Sequence, residues 1–292
     1  MAREISYPGE DLELNDETRQ GLPGAFIRLG DGVTHYEIGG PENGPFVALV
    51  HGFSVPYFIW DPTFEALVAA GFRVLRYDLF GRGFSDRPFL TYDMDLFTRQ
   101  LGNLLDAVGA PQQVALAGLS MGGLIVAEYA GRQPERVSRL VLIDPAGFPL
   151  GYSWAYKLAM LPGVGELALK LLRVPNLELS IASDFFDPKL VSFFLEKYRP
   201  PMRYKGFRRG ILSTLRARVL ENGLPRYERL GALGLPVLLV WGKEDTTVPF
   251  KHSAEVVRAI PQAEFHAIEK AGHIPHYERA EVVNPLLVRF LK

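Results

Sequence analysis

Near-continuous apolar runs recur along this chain: Phe46 to Val50, Phe72 to Tyr77, Val114 to Ala117, Leu140 to Ile143 and Val237 to Trp241. Short runs rich in Val, Leu and Ile that do not alternate with polar residues suit strands buried on both faces, the condition of a parallel sheet. Helix-like stretches separate them: Phe64 to Ala70, Leu96 to Val108, Leu124 to Arg132 and Ser253 to Ile260. Strand and helix in alternation predict an α/β fold with a doubly wound, mostly parallel sheet. Ahead of the first run, Ala25 to Leu29 and Val33 to Ile38 flank Gly30-Asp31-Gly32, a hairpin signal.

One interval breaks the alternation. From about Phe148 to Leu230 no buried strand is legible, only aromatic and leucine-rich helical patterns interrupted by prolines. Such a length is too great for a connection inside a compact sheet. The expected organisation is therefore an arm over 1–24, a core built from 25–147 and 231–292, and an inserted helical cap over 148–230.

The segment Gly118-Leu119-Ser120-Met121-Gly122 joins the run Val114 to Ala117 directly to a helical pattern. A serine at the apex of a sharp strand-to-helix turn is a nucleophile elbow. The turn calls for a positive φ at Ser120, and the crowding leaves no room for side chains two positions either side. Ser120 is the candidate nucleophile. A serine hydroxyl needs a base, and the base needs a group that holds it.

In open α/β sheets such groups sit at the carboxyl ends of strands. Of six histidines, His35 and His266 lie inside strand-like segments, His51 suits a loop anchor, and His252 falls at a helix start. His273, in Ala271-Gly272-His273-Ile274-Pro275, follows the run Glu264 to Ile268 and is the preferred base, with His276 the alternative. For the acid, Asp245 and Asp144 both end strand-like runs. The loop Gly242-x-x-Asp245-x-x-x-Pro249 favours Asp245. Two backbone N–H groups should stabilise an oxyanion, that of Met121 at the helix start and that of Phe53 in His51-Gly52-Phe53-Ser54.

Composition removes other classes. A net charge of −1 offers no attraction for nucleic acid. Absent cysteines exclude disulfides, thiolate nucleophiles and thiolate metal sites. His273-x-x-His276 alone makes no metal site, so neither metal nor cofactor is expected. No stretch approaches the roughly 18 apolar residues of a membrane span, and Met1 to Gln20 is acidic and polar, without a signal-like leader. A cytoplasmic protein without membrane insertion is the expectation, with a homodimer left open.

With these motifs placed, the chain from about Phe46 onward resembles the α/β-hydrolase superfamily, through His51-Gly52-Phe53, Gly118-Leu119-Ser120-Met121-Gly122-Gly123 and Gly272-His273-Ile274-Pro275. The turn Asp78-Leu79-Phe80-Gly81-Arg82-Gly83-Phe84-Ser85-Asp86 is similar to one those proteins carry, and reads as a glycine-rich turn braced by Arg82 and Asp86. The resemblance implies Ser120 as nucleophile, Asp245 as acid, His273 as base, and Phe53 and Met121 as oxyanion donors. Serine at the elbow argues against epoxide hydrolases and haloalkane dehalogenases, which use a carboxylate there.

Acyl chemistry remains, and the expected substrate is a small or medium hydrophobic carboxylic ester. One rival is a carbon–carbon bond hydrolase of ring-fission products, whose relatives usually show Gly-His-Trp where this chain has Gly272-His273-Ile274. Another is a small-molecule receptor that retains the triad. The cap aromatics Phe148, Tyr152, Trp154, Phe185, Phe186, Phe193 and Phe194 should roof an apolar pocket that offers no obvious carboxylate. Trp154, Phe186, Val248 and Ile274 are the expected substrate contacts. The cluster Arg203, Lys205, Arg208 and Arg209 reads as a solvated charged face.

Overall fold

The computed structural model describes residues 7–149, 158, 160–171 and 177–292. Eight strands form one sheet: β1 (Ala25–Leu29), β2 (Gly32–Gly39), β3 (Phe46–Val50), β4 (Arg73–Tyr77), β5 (Val114–Leu119), β6 (Val137–Ile143), β7 (Val237–Gly242) and β8 (Glu264–Ile268). Their order is β1-β2-β4-β3-β5-β6-β7-β8. The β1–β2 and β2–β4 pairs are antiparallel, and every later pair is parallel. Every residue of β3, β5 and β7 is buried, as uninterrupted apolar runs demand of central strands.

Two apolar cores lie on opposite faces of the sheet. One gathers Ala48, Val50, Leu116, Leu140 and Leu239 with the helices Met94–Ala107, Met121–Arg132 and Leu224–Leu233. The other gathers Val47, Leu49, Val141, Leu238 and Val240 with the helices Asp61–Ala69 and Ala280–Leu291. Alternate residues of one strand enter different cores, which is the pleat at work.

Between β6 and β7 the chain turns helical, with helices Val164–Leu171, Leu177–Ser183, Val191–Met202 and Phe207–Arg216. The next helix, Leu224–Leu233, already belongs to the layer against the sheet: Leu230 is buried in the first core and the Tyr227 hydroxyl donates to the Ala146 carbonyl. Among the described residues, no helix is long and apolar enough to cross a membrane.

The N-terminal arm is bound to this helical segment. Leu12 bridges Tyr204, and the buried Glu10 carboxylate accepts the backbone N–H groups of Gly206 (2.9 Å) and Arg208 (2.7 Å). Asp11 pairs with Arg203 and Glu13 with Lys205, while Arg209 donates to the Pro88 carbonyl at 2.9 Å. The basic cluster expected as a solvated face is thus largely engaged with the acidic arm. The sequence separation of about 190 residues hides that match, because charge complementarity leaves no local period.

Removing the Glu10 side chain leaves two N–H groups without their acceptor. Glu10→Ala should lower stability by about 1–3 kcal/mol, read as a reduced denaturant midpoint. An unchanged midpoint would show that the arm is only loosely attached.

Candidate active site

Ser120 follows β5 and immediately precedes the helix Met121–Arg132, with φ 53° and ψ −116°. This left-handed backbone is strained for a residue with a side chain, and tight packing holds it. A Cβ on Gly118 would lie 2.3 Å from the Gly122 carbonyl oxygen, and one on Gly122 would lie 2.2 Å from that of Val50. The Ser120 N–H donates to the Ile143 carbonyl (2.9 Å), and the Ser120 carbonyl accepts from Gly123 and Ala146 (3.0 and 3.1 Å). The turn is fixed from both sides.

Ser120, His273, Phe53, Val248 and Ile274 line one cavity of about 320 Å³. His273 sits in the loop after β8, and its Nδ1–H donates to Asp245 Oδ2 at 2.8 Å. Asp245, in the loop after β7, is itself held: its Oδ1 accepts the N–H groups of Thr247 (2.8 Å) and Val248 (2.9 Å). With the Nδ1 proton committed to a carboxylate, Nε2 is the ring's available base. Burial disfavours the imidazolium, but the Asp245 charge and hydrogen bond, with Asp184 nearby, hold the His273 pKa above its usual 6.5.

His276 is not placed to compete. It is fully buried against Trp60, ring centroids 4.4 Å apart, and desolvation pulls its pKa down to about 3. His51 is a loop anchor: its Nδ1–H donates to the Gly52 carbonyl (2.8 Å), its Nε2 accepts from Leu79 N–H (2.9 Å), and burial lowers its pKa to about 4. His35 lies between Asp78 and the Pro23 carbonyl, and His252 stacks on Phe148 with its Nδ1 on Glu255.

Asp144 adjoins this group without touching His273's proton. It ends β6 with φ 40°, its Oδ1 accepts the Gly242 N–H at 2.9 Å, and its buried Oδ2 has no partner among the described residues. Burial, and then the neighbouring Asp245 charge, raise its pKa well above the usual 3.8. The histidine bond is made by Asp245 and not by Asp144.

For an oxyanion, Met121 is the first residue of its helix and its N–H has no intrahelical acceptor. The Phe53 N–H likewise has no acceptor among the described residues. Phe53 lines the same cavity as Ser120, and Met121 follows Ser120 at the helix N-terminus, where the helix dipole adds partial positive charge.

Two expected substrate contacts fare differently. Phe186 is 48% exposed and does not line the cavity; it sits where Glu278 Oε1 accepts its backbone N–H (2.8 Å). Trp154 and Tyr152 lie outside the described residues. The sequence reading missed Asp184, which puts a carboxylate on the cavity wall where none was expected. Its Oδ1 accepts from the Thr247 hydroxyl (2.6 Å) and its carbonyl accepts the His273 N–H (2.8 Å). A Cβ on Gly272 would lie 2.3 Å from that carbonyl oxygen, so Gly272 is what admits the cap to the base loop. Glu278 ties the contact by accepting from Gly272 as well as from Phe186 and Asp187.

The geometry ranks the two acids. Asp245→Asn should lower kcat by about 10³-fold or more with little change in KM, by spoiling the histidine tautomer. Asp144→Asn should cost less than about 10-fold, because Asp144 makes no bond to His273 and an asparagine can still accept the Gly242 N–H and tolerate the positive φ. The acid limb of kcat/KM should have its midpoint above 6.5, the ordinary histidine value, since activity is lost as falling pH protonates a base whose pKa is raised. Kinetics of both variants across pH check this, and the reverse ranking would move the acid to Asp144.

Comparison with known proteins agrees with this architecture. The model of the alpha/beta hydrolase family matches residues 47–286. The chain is 33% identical to the dihydrolipoyllysine-residue acetyltransferase component of an acetoin cleaving system from Pseudomonas putida, over 88% of this chain and 66% of that protein. It is 30% identical to a 2-hydroxy-6-oxo-6-phenylhexa-2,4-dienoate hydrolase from Burkholderia cepacia, over 85% of this chain and 88% of that one. A solved meta-cleavage product hydrolase from Pseudomonas fluorescens superposes with TM-score 0.75 at 25% identity, covering 91% of this chain and 97% of that chain. A sheet in this order, a strained serine after β5 and a match across most of its length make the chain a member of the alpha/beta hydrolase family.

Proposed function

We propose that this hydrolase cleaves small to medium uncharged carboxylic esters through an acyl-enzyme on Ser120. The observation that carries the reading is the His273–Asp245 pair, fixed at 2.8 Å and opening on the same cavity as the strained serine. His273 Nε2 takes the Ser120 hydroxyl proton as Oγ attacks the ester carbonyl, and the Phe53 and Met121 N–H groups receive the oxyanion. The imidazolium then gives that proton to the departing alkoxide. Water, activated by the same nitrogen, hydrolyses the acyl-enzyme and restores the serine. Asp245 orients the ring and stabilises its cation throughout.

The relatives named as a dienoate hydrolase and a meta-cleavage product hydrolase support a second reading, carbon–carbon bond hydrolysis of ring-fission products. The dienoate in that name is an anion. Among the described residues that line the cavity there is no Lys or Arg to receive an anion, and Asp184 adds a carboxyl group. That lining suits an uncharged ester better. The apolar wall of Val55, Ile59, Leu119, Phe194, Leu215 and Leu220 suits an acyl chain.

Ser120→Ala should reduce turnover of nitrophenyl butyrate by about 10³-fold or more. Each added methylene should raise kcat/KM by about 4-fold, the equivalent of about 0.8 kcal/mol, until the cavity is full near butyrate or hexanoate, and longer chains should then be cut more slowly. A nitrophenyl ester series measures both. A ring-fission dienoate cleaved orders of magnitude faster than every ester would overturn the ester reading in favour of carbon–carbon hydrolysis.

A further inference from the structure

Arg82 lies outside the set of groups that meet substrate, yet it is fully buried with no carboxylate partner among the described residues. Among those residues its hydrogen bonds all go to neutral oxygens. Nε–H donates to the Phe53 carbonyl (2.8 Å), one terminal nitrogen to the Phe80 carbonyl (3.2 Å) and the other to the Thr214 hydroxyl (2.8 Å). The guanidinium also sits over the rings of Phe53, Phe97 and Tyr92, 5.4 to 5.9 Å from their centroids. Desolvation pulls its pKa only to about 10, so it remains a cation at neutral pH. An ion paired only with dipoles is costly to bury. A neutral side chain could fill the space at less cost if packing were the only requirement.

We propose that Arg82 is the positioning residue of the oxyanion hole. The carbonyl it grips is three covalent bonds from the Phe53 N–H, so the guanidinium fixes the backbone that aims that donor. Its charge also lies behind the loop whose N–H faces the oxygen on which negative charge develops, in a site where low polarity strengthens the attraction. Thr214 belongs to the cap helix Phe207–Arg216, so one planar group joins the oxyanion loop, the Asp78–Asp86 turn and the cap. Lysine cannot satisfy three separated acceptors at once. The sequence reading of Arg82 as a brace for its own turn is thus too narrow: its main grip is on the neighbouring loop.

The inference rests on the proposed acyl chemistry and acts in the transition state alone, so its readout is a split. Arg82→Met, Arg82→Lys and Thr214→Val are compared with wild type per active site, titrated with a fluorophosphonate. Arg82→Met should lower kcat on nitrophenyl butyrate about 10- to 100-fold, with KM within about 2-fold. Affinity for a trifluoromethyl ketone, whose adduct carries the oxyanion, should fall by the same factor. Affinity for the corresponding methyl ketone should hold, and the acid-limb midpoint should not move, because His273 is untouched. Arg82→Lys should fall between Met and wild type, and Thr214→Val should show a smaller, parallel loss. If Arg82→Met does not fold, the other two variants carry the test. Wild-type kcat and trifluoromethyl ketone affinity per titrated site in both would overturn the proposal and leave Arg82 a packing residue. A wild-type enzyme that neither labels nor turns over any ester fails at the proposed function instead.

Discussion

The close approach of backbone at the elbow is the constraint on which the rest of this structure depends. Gly118 and Gly122 pack so tightly against each other and against Val50 that no side chain fits at either position. This contact locks β5, the helix Met121–Arg132 and the end of β3 into one unit. It holds Ser120 at φ 53°, against its own preference. Because β3 and β5 are neighbours, the loop after β3 delivers Phe53 to the same point as the helix N-terminus. Ser120 and the Phe53 and Met121 N–H groups, proposed as nucleophile and oxyanion donors, are thus brought together by one packing event.

Electrostatics completes what packing begins. Three carboxyl groups surround the base region, and their environments separate them: Asp245 is fixed by two N–H groups and the histidine, burial raises the pKa of Asp144, and Asp184 lines the cavity. Asp184 also carries the cap to the base loop through its carbonyl, so substrate cover and general base share a contact.

Much of the core was legible because its signals are local. Uninterrupted runs gave β3, β5, β6 and β7 to within a few residues, and the Gly-x-Ser-x-Gly segment placed Ser120 and its positive φ. Loop position brought His273 and Asp245 forward, and the structure hydrogen-bonds them. What stayed hidden depends on distant partners. Glu10 binds a helix about 200 residues away, Asp184 reaches the cavity only because Gly272 lets the cap descend, and Arg82 spends its donors on Phe53 and Thr214 rather than on its own turn alone. Phe186 misled in the opposite sense: an aromatic in the cap suggested a pocket wall, but it is half exposed and does not line the cavity.

The central claim is that Ser120 is the activated nucleophile of an acyl-transfer site. The most direct measurement is mass spectrometric mapping after exposure to a fluorophosphonate, which reacts with a serine only where a base and an oxyanion hole serve it. One equivalent on the peptide that carries Ser120, with ester turnover lost in step and no label after Asp245→Asn on the same timescale, is the predicted result. A label on another serine, or full ester turnover by protein labelled at Ser120, would contradict the account.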